Sequence, residues 1–96
     1  MRVWMHTVPG FYDAKHELEA NLKSGAKPII DSVVQAYIAL NANPLVYSKT
    51  DQRDGDDYLH PLVDGYKLVY RVEPEFQGES TLIAQHVFLK NIVRRK

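Results

Sequence analysis

Lys67, Arg71, His86 and Lys90 stand at even spacing inside two β-prone stretches, YKLVYRVEPE and TLIAQHVFLKN. Alternate residues of a strand share a face, so Lys67, Val69, Arg71 and Glu73 fall on one side and Tyr66, Leu68, Tyr70 and Val72 on the other. In the last stretch Leu82, Ala84, His86, Phe88 and Lys90 share one side, and Ile83, Gln85, Val87 and Leu89 the other. A sheet face carrying imidazole and cationic groups together has what cleavage of an RNA phosphodiester needs. One group takes the 2′-hydroxyl proton, cations stabilise charge at phosphorus, and a donor serves the leaving oxygen. His60 joins this set by reaching across the Asp64-Gly65 hairpin, provided that no bulge shifts the pairing. Tyr66, Tyr70 and Phe88 offer stacking surfaces for unpaired bases. The plainer reading of the same residues is a solvated sheet face over tyrosines that pack in the core.

Positioning these groups requires a sheet with one uncovered face. Asp64-Gly65 between Val63 and Tyr66 is a strong hairpin signal, because the mirror-type turn needs φ > 0 at both central positions. RVWMHT, residues 2–7, reads as a first strand closed by Pro9-Gly10. Phe11, Ala14, Leu18 and Leu22 recur at helical spacing, with Gly25 as a stop. A second helix follows from Pro28, with the broader apolar set Ile29, Ile30, Val33, Val34, Tyr37, Ile38 and Leu40, until Asn43-Pro44 ends it. This second helix is expected to lie deepest against the sheet. Residues 44–57 carry Ser48-Lys49-Thr50 and then DQRDGDD, whose carboxylates repel one another, and predict a solvated, mobile loop. Its spacing does not match a calcium loop. Residues 75–80 form the other loop.

The order strand, helix, helix and three strands predicts one α+β domain over residues 1–96, with two helices on one face of a small antiparallel sheet. At 96 residues the chain has room for a single core. Twelve Lys and Arg balance twelve Asp and Glu, which disfavours a general nucleic-acid coat. The charge is uneven, however: residues 67–96 carry six Lys and Arg against three Glu. The chain has no cysteine, which fits a reducing cytoplasm, and its composition suggests neither a secretion signal nor a membrane span. No spacing calls for a metal or a cofactor. His6 and His16 read as ordinary surface or boundary residues, apart from the other candidates.

The stretch LVDGYKLVYRV, residues 62–72, with the following LIAQHVFLKN and the helix ending in LNANP, resembles the RelE/ParE superfamily of type II toxin-antitoxin toxins. GYKLVYRV carries most of the resemblance and is similar to the family's GYRLVY strand. The resemblance implies a RelE-like fold and a toxin that a cognate antitoxin protein wraps and blocks. RelE-like and HigB-like members cut mRNA on the ribosome without metal, whereas ParE-like members poison DNA gyrase. The resemblance therefore implies a ribosome-dependent mRNA endonuclease that inhibits translation, or a gyrase inhibitor; a nontoxic partner-binding member is the third reading. Lys67 stands where the nucleases usually carry a phosphate-contacting arginine, His60 lies near a basic catalytic position, and HVFLKN points to His86 and Lys90. With Arg71, these are the expected catalytic residues. No tyrosine follows Tyr70, so the C-terminal tyrosine of RelE-like nucleases has no counterpart, and the gyrase reading stays open.

Overall fold

The computed structural model describes residues 2–94 of the chain. Arg2–Thr7 forms strand β1, Pro9–Leu22 helix α1 and Ala26–Ala42 helix α2. The remaining strands are β2 (Gln52–Asp54), β3 (Asp57–Pro61), β4 (Tyr66–Gln77) and β5 (Thr81–Arg94). The five strands make one sheet in the order β1-β5-β4-β3-β2. β1 runs parallel to β5, and the other neighbours are antiparallel.

The fold is α+β, as the element order implies, with three corrections. The expected antiparallel sheet is mixed, because β1 lies parallel to β5 at its edge. The expected stop at Gly25 is only one turn of 3-10 helix, Lys23–Gly25, so α1 and α2 form one joined helical segment. The expected mobile loop contains β2, giving five strands instead of four. Its carboxylates do not all repel one another into solvent. Asp51 is buried, and Gln52–Asp54 pairs with Asp57–Leu59 around Gly55, whose φ of 62° suits a tight turn.

The helical layer packs on one face. Phe11 and Leu18 from α1 and Ile29, Val33, Ala36 and Leu40 from α2 meet Leu68, Tyr70, Val87, Leu89 and Ile92 of the sheet. α2 contributes the larger share, as its broad apolar stripe predicts, although Val34, Tyr37 and Ile38 of that stripe remain exposed. Ile29 and Leu40 are almost completely excluded from solvent, and each such burial stabilises the fold by roughly 1.5–3 kcal/mol. Val3 and Met5 of β1 pack against the same core. The alternate residues Arg2, Trp4 and His6 pair with Ala84, His86 and Phe88, and so share the face that bears no helix.

Two local features set the faces. In the β3–β4 turn, Asp64 (φ 59°, ψ 27°) and Gly65 (φ 79°) take the left-handed backbone that the sequence demands. In β5 the pairing steps from Val69–Asn91 to Tyr70–Leu89, so Lys90 is the extra residue of a bulge. No helix among the described residues is long and apolar enough to cross a membrane.

Candidate functional site

The uncovered face carries two adjoining polar groups. The first is a chain of three side chains. His6 Nε2 lies 2.8 Å from His86 Nδ1, and His86 Nε2 lies 2.7 Å from Glu75 Oε1. Strand pairing builds it: β1 places His6 beside Phe88 and Trp4 beside His86, while β4 places Glu73 opposite His86 and Glu75 opposite Ala84. The ring of His6 stacks on Phe88 at 4.6 Å and lies within 22° of the His86 ring plane, which suits their edge-to-edge hydrogen bond.

A carboxylate only accepts hydrogen bonds, so Glu75 makes His86 Nε2 a donor. With both rings neutral, His86 Nδ1 then accepts from His6 Nε2–H, and the basic lone pair of the dyad is on His6 Nδ1. A proton taken up there can be relayed through the 2.8 Å bond, leaving the positive charge on His86 against Glu75. The arrangement can therefore accept a proton at one end and stabilise the charge at the other.

The second group surrounds Asp57. Arg71 Nε donates to its Oδ1 at 3.2 Å, and Lys90 Nζ lies 3.1 and 3.2 Å from its two oxygens. A further oxygen, Glu73 Oε1, is 3.6 Å from the Arg71 guanidinium. The hydrogen bond to Asp57 holds Arg71 protonated above even its ordinary range. Val8, Arg71, Glu73, Phe88 and Lys90 enclose a depression of about 180 Å³ beside the histidine pair. On the other side of the pair, Arg2, Trp4, Glu75, Ile83, Ala84 and His86 line a larger hollow of about 620 Å³.

Of the five residues expected from the sequence, Arg71, His86 and Lys90 come together on this face. Alternation from His86 and Phe88 puts Lys90 there, its ammonium reaches Asp57, and the bulge only brings the next residue, Asn91, to the same side. Lys67 shares the face but not the site. It pairs with Val93 while His86 pairs with Glu73, six positions along β4 from Lys67, which is roughly 20 Å of strand. Its ammonium instead donates to Gln52 Oε1 at 3.3 Å.

His60 is on the opposite face, a correction with a definite cause. A strict two-residue hairpin would pair Val63 with Tyr66 and His60 with Val69. The observed register pairs His60 with Leu68 and Pro61 with Lys67, and a slip of one residue turns every side chain of β3 over. His60 consequently lies against the helical layer. Its Nδ1 donates to Asp51 Oδ1 at 2.9 Å and its ring stacks on Tyr47 at 3.9 Å. Asp51 also accepts from Tyr70 Oη at 2.7 Å, where burial and that bond push the Tyr70 hydroxyl pKa well above its ordinary value. Tyr70 is fully buried and Tyr66 faces the helical side, so of the three expected stacking residues only Phe88 is on the open face.

Sequence reasoning missed His6, Glu75 and Asp57. The signal for His6 was its even spacing from Trp4 and Arg2 in β1, but nothing local revealed that β1 lies beside β5. Among the described residues, no cluster of three or more His, Asp or Glu is arranged to hold a metal ion. Compared with known proteins, the chain matches no protein-family model, and no curated protein matches it significantly.

Proposed function

We propose that this protein is the toxin of a RelE/ParE-like toxin-antitoxin pair, acting in the cytoplasm as an mRNA endonuclease on the ribosome. The observation that carries the reading is the hydrogen bond from His6 Nε2 to His86 Nδ1, on the face that Arg71 and Lys90 share, two residues along β5 from the partner of Arg71 and four from Lys90. The similarity of GYKLVYRV to the family's strand supports it independently.

In this reading His6 Nδ1 takes the proton of a ribose 2′-hydroxyl, and the oxygen attacks the adjacent phosphorus. The P–O5′ bond breaks, leaving a 2′,3′-cyclic phosphate, and the departing 5′-oxygen is protonated by a group such as Lys90 or water. Arg71 and Lys90 stabilise the equatorial oxygens, for which Asp57 must yield its hydrogen bonds. Glu75 orients His86. Lys67 and His60 drop out of the catalytic set, because one is at the far end of the face and the other is behind it. A cognate antitoxin covering the open face would block all of these groups together.

The test is addition of purified protein to a translating extract, with mRNA ends mapped by primer extension. Cuts that appear only on translated mRNA are the expected result, and intact mRNA would overturn the reading. One observation favours a second reading, in which the protein is a ParE-like gyrase inhibitor or a nontoxic partner-binding member. Asp57 and Glu73 already neutralise the cations that a nuclease would offer to phosphate. Loss of supercoiling by gyrase with intact mRNA would identify the inhibitor, and unchanged growth on expression without antitoxin would identify the nontoxic member.

A further inference from the structure

β3 ends its pairing with β4 at Tyr58–Tyr70, while β4 continues to Gln77. Beyond that point the sheet has a notch of about 400 Å³, within the usual range of small-molecule sites. Leu45, Val72 and Pro74 give it apolar walls, Tyr58 an aromatic side, and Arg53 and Arg71 with Asp56 and Glu73 a charged rim. Gln85 of β5 lines it and is 7% exposed, yet its Oε1 is buried with no hydrogen-bond partner. A buried amide oxygen left unpaired is costly, and the residue that carries this one lines the notch.

We infer that the notch is a nucleobase site. A base has apolar faces for Leu45, Val72 and Pro74, and an N–H edge that satisfies Gln85 Oε1. Its attached phosphate suits the Arg53 guanidinium, which stacks over the Tyr58 ring at 4.2 Å and donates to the Gly55 carbonyl at 3.2 Å. A fatty chain offers no donor to the glutamine. The notch also shares Arg71 and Glu73 with the depression beside the histidine pair. Gln85 projects from the face opposite to Arg71, so a strand whose phosphate sits at Arg71 reaches it around the edge of β4 that β3 leaves open beyond Tyr58. The identity of the natural ligand, a base of RNA, rests on the nuclease reading; the binding itself does not require cleavage.

The experiment is therefore an equilibrium one, using the intact chain. Each of the four nucleoside 5′-monophosphates and, separately, noncleavable 2′-deoxy tetranucleotides are titrated while the Gln85 side-chain amide and Tyr58 ring resonances are followed. Saturable shifts at both are expected. Gln85→Leu, which removes the orphan and keeps the bulk, is expected to fold normally and to weaken binding about tenfold or more. Arg53→Ala, an exposed change, should weaken the monophosphate as well. Binding of monophosphates assigns the site to free nucleotide, and binding of tetramers alone assigns it to a strand. Absence of shifts at millimolar ligand, affinity unchanged in Gln85→Leu, or shifts confined to Trp4 would each overturn the assignment. Preferential capture of an indole-bearing peptide would do the same. Failure of mRNA cleavage would leave these titrations unaffected, so the two readings fail separately.

Discussion

His6 and His86, eighty residues apart, share a hydrogen bond of 2.8 Å across the parallel β1–β5 ladder. If the pair works as a unit, His6→Ala and His86→Ala should each lower cleavage by about 10²-fold or more, as expected for loss of an acid-base group. The double variant should lose little beyond either single one, because removing half of a relay already disables it. Single-turnover rates on ribosome-bound mRNA provide the check; fully additive losses would mean that the two rings act separately.

Glu75 accepts the hydrogen bond of His86 Nε2–H, so it acts through His86 and is a positioning residue. Glu75→Gln can donate where the carboxylate could only accept, and it should free the His86 tautomer. The ¹⁵N shifts of His86 are expected to move from an Nε2–H pattern toward a mixture of both tautomers, with a fall of about tenfold in rate. An unchanged tautomer with a changed rate would assign Glu75 some other role.

Asp57 presents the opposite case, a carboxylate occupying the groups that phosphate would need. In Asp57→Asn both Arg71 and Lys90 keep their places but lose an anionic partner. Affinity for single-stranded RNA at low salt is expected to rise severalfold, and the dependence of log K on log salt to steepen by roughly one ion. Filter binding across a salt series measures both. Weaker binding would mean that Asp57 organises the cations instead of competing for them.

The parts of this site that were legible in the sequence are those fixed by local periodicity. Strand alternation placed Arg71 and His86 on one face, and Asp64-Gly65 announced its own turn. The same alternation carried Lys90 to that face, and the bulge that begins at Lys90 shifts only the residues after it. His60 was misplaced by one residue of slip, an uncertainty that turn identity alone does not remove. His6 was invisible for a different reason. Its partner strand arrives at the end of the chain, and no local pattern encodes a parallel pairing over that distance. The aspartate-rich segment misled by composition, since buried Asp51 finds its hydrogen-bond donors in His60 and Tyr70, which lie elsewhere in the sequence.

That buried Asp51 gives a stability prediction. Asp51→Ala leaves the Tyr70 hydroxyl and the His60 ring without their acceptor, at a cost of roughly 3 kcal/mol, readable as a lower denaturation midpoint.

The same contact predicts alkaline sensitivity. Burial first, and then the bond to Asp51, raise the Tyr70 pKa above its ordinary 10.0 in the folded chain. The folded state thus holds this proton more tightly than the unfolded one. Its contribution is complete below about pH 10 and is lost as pH rises beyond that, because the unfolded tyrosine ionises first. Denaturant titrations from about pH 8 to about pH 11 should show stability falling in the upper part of that range. In Tyr70→Phe this fall should be shallower; equal slopes would mean that other groups govern alkaline unfolding.

Gly65 tests what holds β3 in its observed register. Its φ is 79°, and no atom within 4 Å would meet an added Cβ, so Gly65→Ala charges the backbone conformation alone. The expected loss is roughly 1–2 kcal/mol. Because the left-handed pair at Asp64 and Gly65 joins Pro61 to Lys67, weakening it should raise the hydrogen-exchange rate of β3 amides more than those of β5. The His60–Asp51 contact opposes a slip that would carry His60 to the open face, so the register should survive while its protection declines. Unchanged stability and exchange in Gly65→Ala would show that packing of β3, and not its turn, decides on which side His60 lies.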